Sequence, residues 1–121
     1  KASVAMSVVS NYTSYHLTSE VWWYDQAILK GEWNDPTSQY PERSPVTFAD
    51  RCRTPTLIIQ GSDDRCTPLS QAEELFTAIA ISGSDVELIV VPRAGHARCR
   101  SCPGAGRLPA GSTRDEPSGA R

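Results

Sequence analysis

No apolar run in this chain approaches the roughly 20 residues that a membrane-spanning helix needs, so no span is expected. One-sided charge is missing too: 12 Lys and Arg face 14 Asp and Glu, a formal net charge of −2. A slightly acidic chain has no global basic field, so neither nucleic acid nor an anionic membrane is expected as a partner. The opening residues, Lys1-Ala2-Ser3-Val4-Ala5-Met6, hold no long apolar core of the kind an export signal carries. A cytoplasmic location is the expectation that follows. The chain opens on Lys1 rather than Met, so further sequence is expected upstream. Its 121 residues leave room for one small domain at most.

Cysteine is sparse: Cys52, Cys66, Cys99 and Cys102. Two disulfides would suit a small secreted protein, but no export signal supports them. Cys99-Arg100-Ser101-Cys102 is a C-x-x-C pair, and a zinc site would need a second pair of similar local geometry. Cys52 and Cys66 are separated by an expected strand and match poorly. Free thiols, and no metal or cofactor, are the expectation.

What is present reads as alternating strands and helices. Residues 2–10 form a short valine-rich run that suits a buried strand, and residues 11–18 read as a polar loop. Ser19 is a plausible N-cap for a helix through Val21–Leu29, with Gly31 as its stop. Asp35-Pro36 repeats the start signal for a short second helix. Residues 55–60, Pro-Thr-Leu-Ile-Ile-Gln, form the clearest strand, and their continuous apolar run predicts that both faces are covered. Gly61-Ser62-Asp63-Asp64-Arg65 makes a polar turn, and Thr67 is read as the cap of the next helix. Ala72, Leu75, Phe76, Ile79 and Ala80 then give one apolar stripe on a helix of about 13 residues. Gly83 ends it, and residues 85–91 are a further strand. This alternation predicts an α/β fold with a parallel sheet and flanking helices. Three strands cannot cover their own faces and edges, so the sheet is expected to continue elsewhere. After His96 the chain turns to Arg, Gly, Pro, Ser and Ala. Residues 97–121 are therefore expected to be a disordered tail.

In open α/β sheets the functional groups sit on loops at the carboxyl ends of strands. One such loop carries Asp63, Asp64 and Arg65, and a later one carries His96 after Ala94-Gly95, a short pair that would let the loop approach closely. Acid first and histidine later is the α/β-hydrolase order. A carboxylate would orient the imidazole, and the imidazole would take a proton from a serine. Taken singly, each feature has a plainer reading: a turn with a surface ion pair, and a solvated loop histidine.

Five stretches together carry a resemblance: Ser44-Pro45-Val46-Thr47-Phe48-Ala49-Asp50, Arg53 to Gly61, Asp63-Asp64-Arg65, Pro68 to Leu75, and Pro92-Arg93-Ala94-Gly95-His96. The chain from about Lys1 to Ala97 resembles the catalytic domain of the prolyl oligopeptidase family, serine peptidases that include acylaminoacyl peptidases and dipeptidyl aminopeptidases. The resemblance implies a partial α/β-hydrolase fold, its C-terminal half only, over residues 1–96. It implies Asp63 as the catalytic acid, Asp64 as a bystander, His96 as the catalytic base and Arg65 as a contact to the substrate backbone.

The sequence departs from the family in two places. No G-x-S-x-G nucleophile motif occurs in these 121 residues. Relatives also continue after the histidine with an amphipathic helix, whereas this chain enters the Arg/Gly/Pro-rich segment, as a frameshifted or truncated frame would. The expectation is a fragment of a serine peptidase acting on peptide substrates by Ser-Asp-His acyl transfer, inactive alone because it lacks the nucleophile. A carboxylesterase-type hydrolase shares the fold and stays open as an alternative, as does a non-catalytic binding remnant built on the aromatics of residues 12–40. Oligomeric state is left open.

Overall fold

The structure, a computed structural model, describes residues 1–96. Residues 97–121, expected to form the disordered tail, lie outside the described residues. Three strands form one parallel sheet in chain order: β1 (Ser3–Met6), β2 (Thr56–Gly61) and β3 (Val86–Val91). Parallel neighbours need crossover connections. The first crossover holds three short helices, α1 (Tyr12–Thr18), α2 (Trp23–Ile28) and α3 (Gln39–Arg43), and a 3₁₀ turn, Pro45–Arg51. The second is α4 (Leu69–Ile81). No helix among the described residues is long and apolar enough to cross a membrane.

Register decides what is buried. Ala5, Ile58 and Leu88 lie in one row across the sheet, and Met6, Ile59 and Ile89 lie in the next. Successive residues face opposite sides of a sheet. Ile58 and Ala72 of α4 are fully buried, and Ile79 of α4 is buried beside them in the core. Along the expected stripe, Leu75 and Phe76 are half-buried, while Ala80 is exposed and drops out of it. Only one sheet face is closed among the described residues. Val4 and Met6 are 63% and 68% exposed, and Ile89 is exposed as well, so the expected cover on both faces is not present here.

The first strand is shorter than its valine-rich run because Ser7 takes a left-handed φ of 49° and turns the chain out of the sheet. Residues 11–18 are helical rather than a loop. Asn11 caps α1 by accepting from the Thr13 amide at 3.1 Å. Polar bonds to α4 then hold the helix in place. The Gln71 side chain accepts from the Ser10 and Asn11 amides at 3.1 and 3.0 Å. Glu74 accepts from Asn11 Nδ2 and Ser14 Oγ at 2.7 and 2.6 Å.

Ser19 ends α1 instead of starting α2. Its hydroxyl donates to the Cys66 carbonyl at 2.7 Å and accepts from the Val21 amide at 3.1 Å. α2 begins after Trp22 without a side-chain cap. The helix ends at Ile28 with the extended Leu29 as its cap, two residues before the expected stop; Gly31, at φ 96°, turns the chain beyond it, and a methyl there would sit 2.9 Å from Ser38 Cβ. Asp35 folds onto Thr37 rather than opening a helix, accepting from its amide and hydroxyl at 2.8 and 2.7 Å. α3 starts later, capped by Ser38, and buries Tyr40 completely. Burial, and secondarily the nearby Asp25 carboxylate, pushes the Tyr40 hydroxyl pKa well above its ordinary value.

Ile58 sits at the centre of the closed face, so Ile58→Ala is expected to cost about 2–5 kcal/mol and Ile58→Val about 1 kcal/mol. Val4→Ala, on the open face, is expected to change stability by less than about 0.5 kcal/mol. Urea unfolding followed by far-UV circular dichroism measures the series; equal losses at Ile58 and Val4 would contradict this core.

Candidate active site

β2 and β3 run side by side, so the turns that follow them meet at one edge of the sheet. Backbone bonds join the two turns. The Ser62 amide donates to the Val91 carbonyl at 3.0 Å, and the Asp63 amide to the Ala94 carbonyl at 3.0 Å. The Arg93 amide donates to Ser62 Oγ at 2.8 Å, with Arg93 held at a left-handed φ of 59°. The close approach depends on Gly61. A methyl on it would run into the Ala94 carbonyl, whose carbon would lie 2.8 Å away. Gly95, which the sequence suggests for that role, would meet only the Asp63 carbonyl oxygen at 3.7 Å.

The carboxylate that meets His96 belongs to Asp64. His96 Nδ1 lies 3.0 Å from Asp64 Oδ2, and the Asp64 side chain is fully buried. Asp63, the expected acid, is exposed, and among the described residues its carboxylate accepts only from the Ser62 hydroxyl at 3.0 Å. The turn explains the difference. The Asp64 amide bonds back to the Gly61 carbonyl at 3.4 Å, which carries residue 64 inward. Asp63 contributes its backbone amide to the histidine loop and leaves its side chain in solvent.

Around Asp64 the donors are complete. Oδ1 accepts from the Thr67 amide at 2.8 Å. Oδ2 accepts from Thr67 Oγ1 at 2.9 Å, from Gln60 Nε2 at 3.1 Å and from His96. A carboxylate is acceptor-only when ionised, so His96 presents its proton on Nδ1, and that leaves a lone pair on Nε2. The His96 ring stays 40% exposed.

Gln60 and Thr67 were not legible as site residues. Gln60 is a fully buried amide two residues after Ile58, on the face that should be apolar. Besides Asp64 it donates to the Thr67 carbonyl at 2.8 Å and accepts from the Val8 amide at 3.2 Å. A lone Gln closing an apolar strand was the available signal. Thr67 is not the helix cap, since Pro68 precedes α4 and the Thr67 hydroxyl turns to Asp64 and to His96 Nδ1, 3.1 Å away. Arg65 is exposed, makes no ion pair among the described residues, and uses its carbonyl to accept from the Glu20 amide at 2.9 Å.

Beside His96 and Thr67 lies an open pocket of about 390 Å³, walled by Tyr15, Val21, Trp23 and Tyr24. A larger depression, about 530 Å³, lies at the amino ends of the strands around Ser3, Thr56 and Asp85, and neither Asp64 nor His96 lines it. Cys66 also lines the pocket. Burial, with the Asp64 and Glu20 charges, pushes its thiol pKa up, which disfavours the thiolate. Cys52 and Cys66 are free thiols, whereas Cys99 and Cys102 lie outside the described residues. Among the described residues, no group of three or more His, Cys, Asp or Glu is placed to hold a metal ion.

The steric demand at Gly61 generates a direct test. Gly61→Ala is expected to push the 92–96 loop away and abolish the His96–Asp64 bond, whereas Gly95→Ala is expected to preserve it. The His96 Nδ1 proton, observed by NMR in 15N-histidine-labelled protein, reads out both; its persistence in Gly61→Ala would refute the steric argument.

The sequence profile of the prolyl oligopeptidase family matches residues 1–106. The uncharacterized peptidase YuxL of Bacillus subtilis (strain 168) is 36% identical over 98 residues, 79% of this chain and 15% of that protein. The Pyrococcus horikoshii acylaminoacyl peptidase, in its orthorhombic crystal form, superposes with a TM-score of 0.74 at 20% identity, over 78% of this chain and 16% of that one. A puromycin-hydrolyzing peptidase of Mycobacterium tuberculosis gives a TM-score of 0.68 at 25% identity, over 79% of this chain and 15% of that one. The chain thus spans only 15–16% of these relatives' lengths, and its parallel sheet with flanking helices corresponds to part of an α/β-hydrolase peptidase fold. By the match over residues 1–106, this chain belongs to the prolyl oligopeptidase family of serine peptidases.

Proposed function

We propose that residues 1–96 supply the acid–base part of a serine peptidase acting on peptides, with Asp64 as the orienting acid and His96 as the base. The observation that carries this reading is the 3.0 Å bond from His96 Nδ1 to the buried Asp64 carboxylate, on adjacent strand-end loops. Nε2 of His96 takes the proton of a serine as that serine attacks the peptide carbonyl. The Asp64 carboxylate stabilises the resulting imidazolium, which then protonates the leaving amine. The nucleophile comes from sequence outside these 121 residues, which contain no G-x-S-x-G motif. The exposed Arg65 contacts the substrate backbone, and the aromatic pocket beside His96 takes an apolar side chain of the peptide. No cofactor takes part. Residues 1–96 are the C-terminal half of the hydrolase domain, and the cytoplasm is its compartment.

The test is a chimaera in which residues 1–96 replace the matching segment of the M. tuberculosis puromycin-hydrolyzing peptidase, assayed by puromycin hydrolysis. In an active chimaera, Asp64→Asn is expected to lower kcat by roughly 10⁴, the cost of a wrong histidine tautomer in a serine triad. Asp63→Asn is expected to leave kcat within about threefold. The reverse pattern would return the role to Asp63. The 121-residue chain alone is expected to resist labelling by a fluorophosphonate, and stoichiometric labelling would place a nucleophile within it.

A further inference from the structure

A second histidine–carboxylate pair lies away from His96. His16, in the last turn of α1, places Nδ1 2.8 Å from Asp25 Oδ2 in α2. Their side chains are 11% and 0% exposed. The imidazole is enclosed by aromatic rings: stacked with Trp33, and edge-on to Trp22 and Tyr40. A ring so enclosed cannot exchange protons with a substrate, so this pair does other work.

What it does follows from the construction of α2. The only buried residue of that helix is Asp25. Its apolar residues stay out: Trp23, Tyr24 and Ile28 are 58%, 51% and 48% exposed. Apolar burial within the helix therefore does little to place it; Leu29, its C-cap, is the nearest apolar residue that reaches the core. Among the described residues, the Asp25–His16 bond is the one side-chain hydrogen bond that joins α2 to another element. α1, on the other side of the bond, is fixed to α4 through Gln71 and Glu74. α2 in turn carries Trp23 and Tyr24 into the wall of the pocket beside His96.

We propose that the His16–Asp25 pair is a polar clasp that positions the aromatic wall of this pocket, and so sets its affinity for apolar peptide side chains. Both are positioning residues, since neither lines the pocket. The inference rests on the reading of that pocket as a substrate subsite. A buried polar pair contributes little net stability against well-packed apolar groups, but its directional bond fixes one arrangement where apolar contact would permit several. Among the described residues the His16 bond is the one hydrogen bond that this carboxylate makes; its Oδ1 and the nearby Tyr40 hydroxyl are buried without one.

The probe is N-acetyl-L-phenylalaninamide, titrated into the 121-residue chain and followed by NMR at the Tyr15, Trp23 and His96 rings. His16→Leu removes the donor. His16→Asn keeps a nitrogen donor at the δ position but loses the ring. The clasp predicts that Kd rises about tenfold in His16→Leu and stays within about threefold of the starting value in His16→Asn. A purely packing role for the ring predicts equal losses in both, and that result would overturn the clasp. Should His16→Leu lose the dispersed amide signals of β2, His16→Asn decides alone, with retained affinity in support and about tenfold loss against. Unchanged affinity in folded His16→Leu would overturn the clasp while leaving the pocket reading intact. Absence of any shift at the three rings in the unsubstituted chain would overturn the pocket reading itself.

Discussion

One buried carboxylate ties the working end of this sheet together. Asp64 draws donors from the end of β2, from the turn before α4 and from the loop after β3. A buried ionised group left short of partners is costly, so each donor is held to its place by the cost of losing it. Thr67 binds both carboxylate oxygens, through its amide and its hydroxyl. Gln60 links that carboxylate to the chain just beyond β1 through the Val8 amide. The imidazole is thereby oriented by three segments at once rather than by one flexible contact.

The same economy runs through the long first crossover. Its helices are short, and a helix of five to seven residues does not persist in water through propensity alone. Polar side chains supply the missing hold. Gln71 and Glu74 dock α1 onto α4, and Asp25 docks α2 onto α1. The price is specificity of geometry in place of bulk burial, and it leaves Trp22, Trp23 and Tyr24 substantially exposed beside the pocket.

These two habits explain what could be read in advance. β2, α4 and β3 were legible within a residue or two, because each has a strong apolar pattern, and two of them close on a glycine: Gly61 at the end of β2 and a left-handed Gly83 after α4. The parallel order followed from their alternation, and the family from the stretches flanking the two turns. α1 was not legible, because its polar residues read as a loop until Gln71 is brought to them from 60 residues away. The choice between Asp63 and Asp64 was not legible either. Two adjacent acids after a strand look alike in composition, and only the bond from the Asp64 amide to Gly61 decides which one turns inward. Gln60 and Thr67 were hidden for a related reason: each fits a bland local role, strand end or helix cap, that its buried neighbours override.

The placement of these groups along the chain divides them between two segments. Gln60, Asp64, Thr67 and His96 come from β2–α4–β3 and the loop that follows it, whereas Tyr15, Val21, Trp23 and Tyr24 come from the crossover before it. The pocket is the seam between the two, since Thr67 and His96 line it together with the crossover aromatics. A change of aromatic residue in the crossover would therefore reshape one wall of the pocket and leave the bonds among Asp64, Thr67 and His96 in place.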